Sequence, residues 1–387
     1  MAPALIRQLD PERVRTRRWK ATGTDLPTVI DQLGRLDLEL RQHDVPGQEH
    51  PHPRNSVLNL VIASRERQRA ETCDRLVGEL ASTHPMRAIL LHLGSSEGPG
   101  TLDATIVAEA HRLLNGFPVQ REQVLLEVRG AAVDHLASLV EPLLIPDIPT
   151  FLWWSGLELD PEALRDVMDF SDVLVVDSSY LVRPVEALLT LTSLTGGRLG
   201  VADLHWGRMR PWRDAIAQFF APSERLVLLA GLDEITCEAA GVEPPSRVAA
   251  ALLAGWTAAA LGWRFTGTRS AGDSTTEALA QAGDGREVRV TLRSVPSEHV
   301  DAGELMAVGL SGQAEDGPFQ MAMERDRRGG EHARLSITLG AGTVHQRLAL
   351  PAVEESDLLL HVLWASRQDP VFESALAGAS VLLESLR

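Results

Sequence analysis

The 387-residue chain has little cysteine and almost no lysine. Its two cysteines, Cys73 and Cys237, are too few for a disulfide framework or a four-thiolate zinc site. Lys20 is the only lysine, so a Schiff base or a phosphate-loop lysine would have to come from an Arg-rich N-terminal segment. No run of 18 apolar residues occurs, and no transmembrane helix is predicted. G-x-G-x-x-G after a strand, GxxxxGK[ST], HExxH, CxxC and G-x-S-x-G are all missing, so no cofactor, metal or catalytic residue is expected.

Positive charge is also short. There are 37 basic and 53 acidic residues, a net charge of -16, which argues against a nucleic-acid partner and against docking on an anionic membrane. What basic character there is gathers at Arg7, Arg13, Arg15, Arg17, Arg18 and Lys20. Asp10 and Glu12 interrupt it and it has no apolar core, so it reads as a basic arm of a cytoplasmic protein rather than a targeting signal. Apolar residues make up 44% and charged residues 23%, an ordinary composition for a folded chain. The length suggests two or three domains.

Periodicity divides the chain into an extension and linker at 1–54, an α/β domain at 55–222, and a smaller α+β domain at 223–387. In the extension, Leu26, Ile30, Leu33, Leu36 and Leu40 predict a helix over 26–42. The linker that follows holds His50 and His52, whose spacing in a Pro-rich stretch suits a solvated loop better than a metal site. The strand 56–62, a helix over 65–82 and the strand 87–93 then form a parallel crossover unit, and the pattern continues as a doubly wound α/β domain. In the last part, 226–230 reads as a strand, 246–263 as a helix and 264–285 as an exposed loop. Five strands between 286 and 350 and two terminal helices follow.

Two turns sit where ligands bind in open α/β sheets. Gly94, Gly98 and Gly100 read as a plain turn with a phosphate cradle as the alternative. Asp177, Ser178 and Ser179 read as a turn cap with a ligand position as the alternative. Aromatics are distributed more tellingly. In 143–154 (LLIPDIPTFLWW), Pro146 and Pro149 frame Asp147 ahead of a strand ending in Trp153 and Trp154. Neighbours on a strand face opposite ways, so one indole is expected in the core and the other toward solvent or a partner. In 203–220, Met209, Trp212, Ile216 and Phe219 share a helical stripe, with Trp206 and Arg213 beside it. Tryptophan and arginine are favoured at interface hot spots, which makes Pro146, Asp147, Pro149, Trp153, Trp154, Trp206, Trp212 and Arg213 the partner-binding candidates, with core packing the alternative for the aromatics and the reading the helical stripe favours for Trp212.

HPMRAILL (84–91), LLIPDIPTFLWW (143–154), ADLHWGRMRPWRDAI (202–216) and RQDPVFESAL (367–376) together resemble the glucose-6-phosphate dehydrogenase assembly protein family, OpcA. The resemblance is clearest over 56–240. It implies a non-catalytic partner that promotes assembly of glucose-6-phosphate dehydrogenase, raises its activity and so supports NADPH supply through the oxidative pentose phosphate pathway. In photosynthetic members it also implies thioredoxin-linked redox control, which makes Cys73 and Cys237 redox candidates; the spacing alone suggests buried free thiols. The alternative is a metabolite-binding protein or enzyme acting on a sugar phosphate or nucleotide at the strand ends near 94–100 and 177–179.

Overall fold

The structure, a computed structural model, describes residues 15–42, 56–81, 85–112, 118–156, 158–159, 161–326, 328, 330–365 and 368–387. The chain is a mixed α/β protein with two eight-stranded sheets. It divides into two compact units, Met1–Val176 with Arg198–Gly200, and Asp177–Gly197 with Val201–Arg387. The boundary near 222 inferred from composition therefore falls inside the second unit, which is the larger of the two. His50, His52, Arg7 and Arg13 lie outside the described residues.

In the first unit, β2 (Leu58–Ser64), β3 (Met86–Leu93), β5 (Pro118–Arg129), β6 (Thr150–Trp154) and β7 (Val173–Val176) run parallel. β4 (Thr101–Arg112) and β1 (Arg15–Ala21) extend the sheet antiparallel at one edge, and the strand order ends with β8 (Gly200–Asp203), of which Gly200 belongs to this unit. The order is β1-β4-β5-β3-β2-β6-β7-β8, which reverses direction at β2. Central strands of such a sheet are covered on both faces and read as continuous apolar runs. All of β2 and all of β6 are buried accordingly.

The supposed extension is part of this unit. Arg15 to Ala21 pair with β4 residue for residue, so four of the arm's six basic residues lie in an edge strand whose charged side chains help protect an open edge. The helix α1 (Leu26–Gln42) forms where predicted, but its buried stripe is Val29, Leu33, Leu36 and Leu40. Ile30 is exposed, because Val29 falls closer to the face set by the later leucines. The Gly94–Gly100 segment is a turn packed against Gly130, where a Cβ would stand 2.1 Å from the Pro99 carbonyl oxygen. Gly130 has φ 65°, which only glycine adopts easily.

The second unit has the strand order β10-β11-β12-β9-β13-β14-β15-β16. These strands are β9 (Leu232–Ala240), β10 (Arg264–Ser270), β11 (Thr275–Gln281), β12 (Glu287–Val295), β13 (Leu305–Ala314), β14 (Gly317–Arg325), β15 (His332–Leu339) and β16 (Gly342–Ala349). Pairing is antiparallel except between β12 and β9. Two sequence expectations fail here. Residues 226–230, read as a strand, are helical turns (Ser223–Leu226, then Val227–Gly231), and the strand starts at Leu232. The 264–285 stretch, read as a loop, contains the β10–β11 hairpin. Its buried positions Thr276, Ala278 and Ala280 alternate correctly, but they are too small to register as a hydrophobic pattern.

The helix Val248–Leu261 is apolar all round and buried from Val248 to Gly255. It packs on the terminal helix Pro370–Glu384 through facing glycines: a Cβ on Gly255 would meet the Ala379 nitrogen at 2.5 Å, and one on Gly378 would meet the Gly255 carbonyl oxygen at 2.4 Å. Close backbone approach explains glycine in two helix interiors, where it otherwise costs about 1 kcal/mol relative to alanine.

Candidate functional site

The segments that carry the family resemblance turn out to hold each other. In the first unit, Arg87 of HPMR lies in β3, 4% exposed, and donates Nε to Glu122 Oε2 at 2.7 Å. Its Nη2 reaches the same oxygen, and Nη1 donates to the Leu143 carbonyl at 2.8 Å, at the head of LLIPDIP. Asn59 of β2 completes the clamp. Its amide donates to the Ile145 carbonyl at 2.9 Å, while Ile145 N–H donates back to Asn59 Oδ1 at 3.0 Å. The PDIP turn thus enters β6 on a fixed path, with Asp147 at φ 64°. Pro146 and Asp147 are exposed, and Pro149 is half-buried.

The two indoles that follow do not divide between core and surface. Trp153 is 0% exposed and Trp154 3%. β6 has neighbours on both edges and cover on both faces, so both orientations are interior. The Arg69 guanidinium stacks 5.0 Å from the Trp153 ring centre and donates to Ser155 Oγ at 2.6 Å. Trp154 Nε1 donates to the Glu158 carbonyl at 3.0 Å. These side chains occupy the carboxyl ends of β2 and β6, where the strand order reverses. The turn after β2 reads Ser64-Arg65-Glu66-Arg67, with no glycine to let a pyrophosphate approach.

In the second unit, helices Leu204–Arg208 and Arg210–Phe220 carry the third segment. Trp206 and Trp212 are buried. Arg213 lies over Trp206, 3.5 Å from the ring centre, and donates to its carbonyl at 2.6 Å. Burial pulls this guanidinium down to about 10 against the opposing charges of Asp369 and Asp214. Phe372, from the terminal matched segment, meets Trp206 at 5.7 Å between ring centres. The helical stripe that reads Trp212 as core agrees with its burial, while Trp206, also a contact candidate, is an internal fastener too. The exposed apolar side chains that sequence reasoning passed over include Tyr180, Val182 and Val227. Isolated exposed apolar residues carry no periodic signal.

Both cysteines are buried thiols outside any disulfide. Burial, with the neighbouring Glu238 charge, pushes the Cys237 thiol up to about 12, which disfavours the reactive thiolate. A thiol reagent is expected to find almost nothing in the native chain and two thiols after denaturation without reductant. A count of zero after denaturation would mean that the pair had been bridged.

A polar cluster of the second unit was legible only in part. Asp177, Ser178 and Ser179 do form the expected cap, with Ser179 Oγ donating to Asp177 Oδ1 at 2.6 Å. But Asp177 also receives Arg208, Nη2 to Oδ2 at 2.6 Å and Nη1 to Oδ1 at 2.9 Å. Burial would raise the Asp177 carboxyl; Arg208 outweighs it and holds the group below its usual range. Ser178 Oγ donates to Asp203 Oδ2 at 2.7 Å and lies 3.2 Å from His205 Nδ1. Burial raises Asp203, partly offset by His205. The residue types are those of a hydrolase triad, but Ser178 is 2% exposed and its proton is directed to a carboxylate, so no nucleophile faces a substrate. Asp203 ends β8, and His205 and Arg208 follow it in the sequence D-L-H-W-G-R, whose spacing with Asp177 could have signalled the cluster. Among the described residues, no group of three or more His, Cys, Asp or Glu is placed to hold a metal. No described helix is long and apolar enough to cross a membrane.

Known proteins resemble this chain in sequence more tellingly than in structure. Residues 77–193 match the family described as glucose-6-phosphate dehydrogenase subunit N-terminal domain, and residues 199–376 match its C-terminal domain. A relative from Synechococcus elongatus, named "Putative OxPP cycle protein OpcA", is 26% identical over 272 residues, covering 68% of this chain and 59% of its own. One of the same name from Nostoc punctiforme is 27% identical over 244 residues, covering 61% and 52%. The chain thus spans between 30% and 59% of the length of the curated relatives it matches. Among solved structures, KijD10, a 3-ketoreductase from Actinomadura kijaniata, aligns with 86% of this chain and 96% of its own at a TM-score of 0.46 and 11% identity, a likeness too slight to speak to chemistry. Matched through both of its domains, the chain belongs to the OpcA family of glucose-6-phosphate dehydrogenase assembly proteins.

Proposed function

We propose that this chain is a non-catalytic assembly factor and activator of glucose-6-phosphate dehydrogenase, acting in the cytoplasm in support of NADPH production. The observation that carries this reading is the match to both family domains, 77–193 and 199–376. The residues agree with it. The turn after β2 lacks glycine, Arg69 and Trp153 fill the neighbouring strand ends, and Ser178 is turned inward. Of the partner-binding candidates, Pro146 and Asp147 are the exposed ones, so contact at PDIP runs through the turn rather than the indoles. The buried Trp206–Arg213–Phe372 cluster would act by shaping the surface above it.

The test is a titration of this protein into its host's glucose-6-phosphate dehydrogenase at fixed enzyme concentration. The rate is expected to rise to a plateau, with no dehydrogenase activity from this chain alone. An unchanged rate and substrate dependence would overturn the activator role. A second reading, metabolite binding at the strand ends, is favoured at 177–179 by an open cleft beside that cluster. The 94–100 turn is closed by its own packing.

A further inference from the structure

A cleft of about 440 Å³ opens in the second unit beside the Asp177–Arg208 pair, its walls including Tyr180, Trp212, Asp301, Glu304, Arg325 and Glu331. Its volume is in the range of small-molecule sites. Arg325, at the end of β14, donates Nε to the Leu305 carbonyl at 3.1 Å. Its two terminal nitrogens have no hydrogen bond among the described residues, and the nearest carboxylate oxygen, Glu304 Oε2, stands 3.7 Å from Nη2. Glu304 Oε1 stands 3.8 Å from His205 Nε2, a buried nitrogen that also has no hydrogen-bond partner among the described residues. One carboxylate therefore lies between two cationic or potentially cationic groups and is hydrogen-bonded to neither.

The buried His205 Nε2 lacks a partner, which is costly. Arg325, its side chain 19% exposed, keeps its two terminal nitrogens open toward the cleft, and burial lowers the affinity of this guanidinium for its proton against the opposing charge of Glu304. The geometry is relieved when a second oxyanion enters. It can take the open fork of Arg325 with two parallel N–H···O bonds, and Glu304 can then close on His205. Arg208 is already neutralised by Asp177 and competes little for that anion. The remaining walls suit a hydroxylated skeleton: Ser179, Asp301 and Glu331 offer acceptors, and Tyr180 offers an apolar face. We propose that this cleft binds a small hydroxylated metabolite through one oxyanion, a phosphate monoester or a carboxylate, received by Arg325 while Glu304 turns to His205. The site goes beyond the assembly role and does not depend on it.

Tyr180 makes the test specific. It is the only tyrosine in the chain, lies on the cleft wall 58% exposed, and sits 5.7 Å from the Arg208 guanidinium carbon. The full chain labelled with 3-fluorotyrosine therefore gives one fluorine resonance, at this site. It is titrated with inorganic phosphate, ribose 5-phosphate and gluconate. A saturable shift with at least one hydroxylated probe is expected, at lower concentration than with inorganic phosphate. A shift with ribose 5-phosphate alone assigns a phosphate ligand, and a shift with gluconate alone assigns a carboxylate. Arg325→Met should abolish the response while the resonance keeps its native position. Glu304→Gln, which removes the competing charge without leaving a buried gap, should tighten binding about tenfold. No saturable shift with any probe in either the wild type or Glu304→Gln would overturn the proposal. So would a response that survives Arg325→Met.

Discussion

Trp153→Ala is expected to destabilise the first unit by about 3–5 kcal/mol, the range for removing a large aromatic side chain from a core. The indole is completely buried in β6, the strand next to the centre of the sheet. It supports the stacked Arg69 guanidinium, which in turn holds Ser155. Truncation leaves a cavity and removes the face on which the half-buried Arg69 guanidinium stacks. For a unit of this size the melting temperature should fall by about 10 °C or more. Any loss of partner binding should appear only at temperatures where the variant has begun to unfold. A variant that melts within a few degrees of the wild type yet fails to bind would instead make Trp153 a contact residue and refute its place in the core.

A comparable loss is expected from Arg87→Met, by a different route. Arg87 and Glu122 have side chains only 5% and 2% exposed. Removing Arg87 takes from the buried Glu122 carboxylate the guanidinium that donates to it twice, and breaking such a buried pair typically costs about 3–5 kcal/mol. The Leu143 carbonyl also loses its donor, so the turn leading to PDIP should loosen. Replacing the pair together, Arg87→Met with Glu122→Leu, should recover much of the stability, since an apolar pair of similar volume avoids the desolvation penalty. Thermal melts of the three variants decide it. A single variant that costs less than about 1 kcal/mol would show that Glu122 finds another partner. A double variant no better than the single would place the loss in the Leu143 hydrogen bond.

These two residues also show what the sequence could and could not tell. Strong periodicities survived: α1, β2, β3 and β6 were legible because their apolar side chains are large and regularly spaced. The β10–β11 hairpin was hidden because Thr276, Ala278 and Ala280 bury well without looking hydrophobic. The turn at 227–231 looked like a strand because a short apolar run has no period of its own. In the matched segments, residue type alone could not separate a tryptophan that binds a partner from one that fills a core. That distinction depends on whether its strand is central or at an edge, which only the strand order supplies. The cluster of Asp177, Asp203, His205 and Arg208 was half visible. The cap at 177–179 is local in sequence, whereas its pairing with Arg208 spans 31 residues.

The measurement closest to the central claim is the mass distribution of a mixture of this protein with its host's glucose-6-phosphate dehydrogenase, recorded by mass photometry beside each protein alone. The assembly role predicts a heavier species containing both chains, with the population of dehydrogenase oligomers shifted upward as this protein is added. Two distributions that simply superimpose, at concentrations where the enzyme is active, would contradict it.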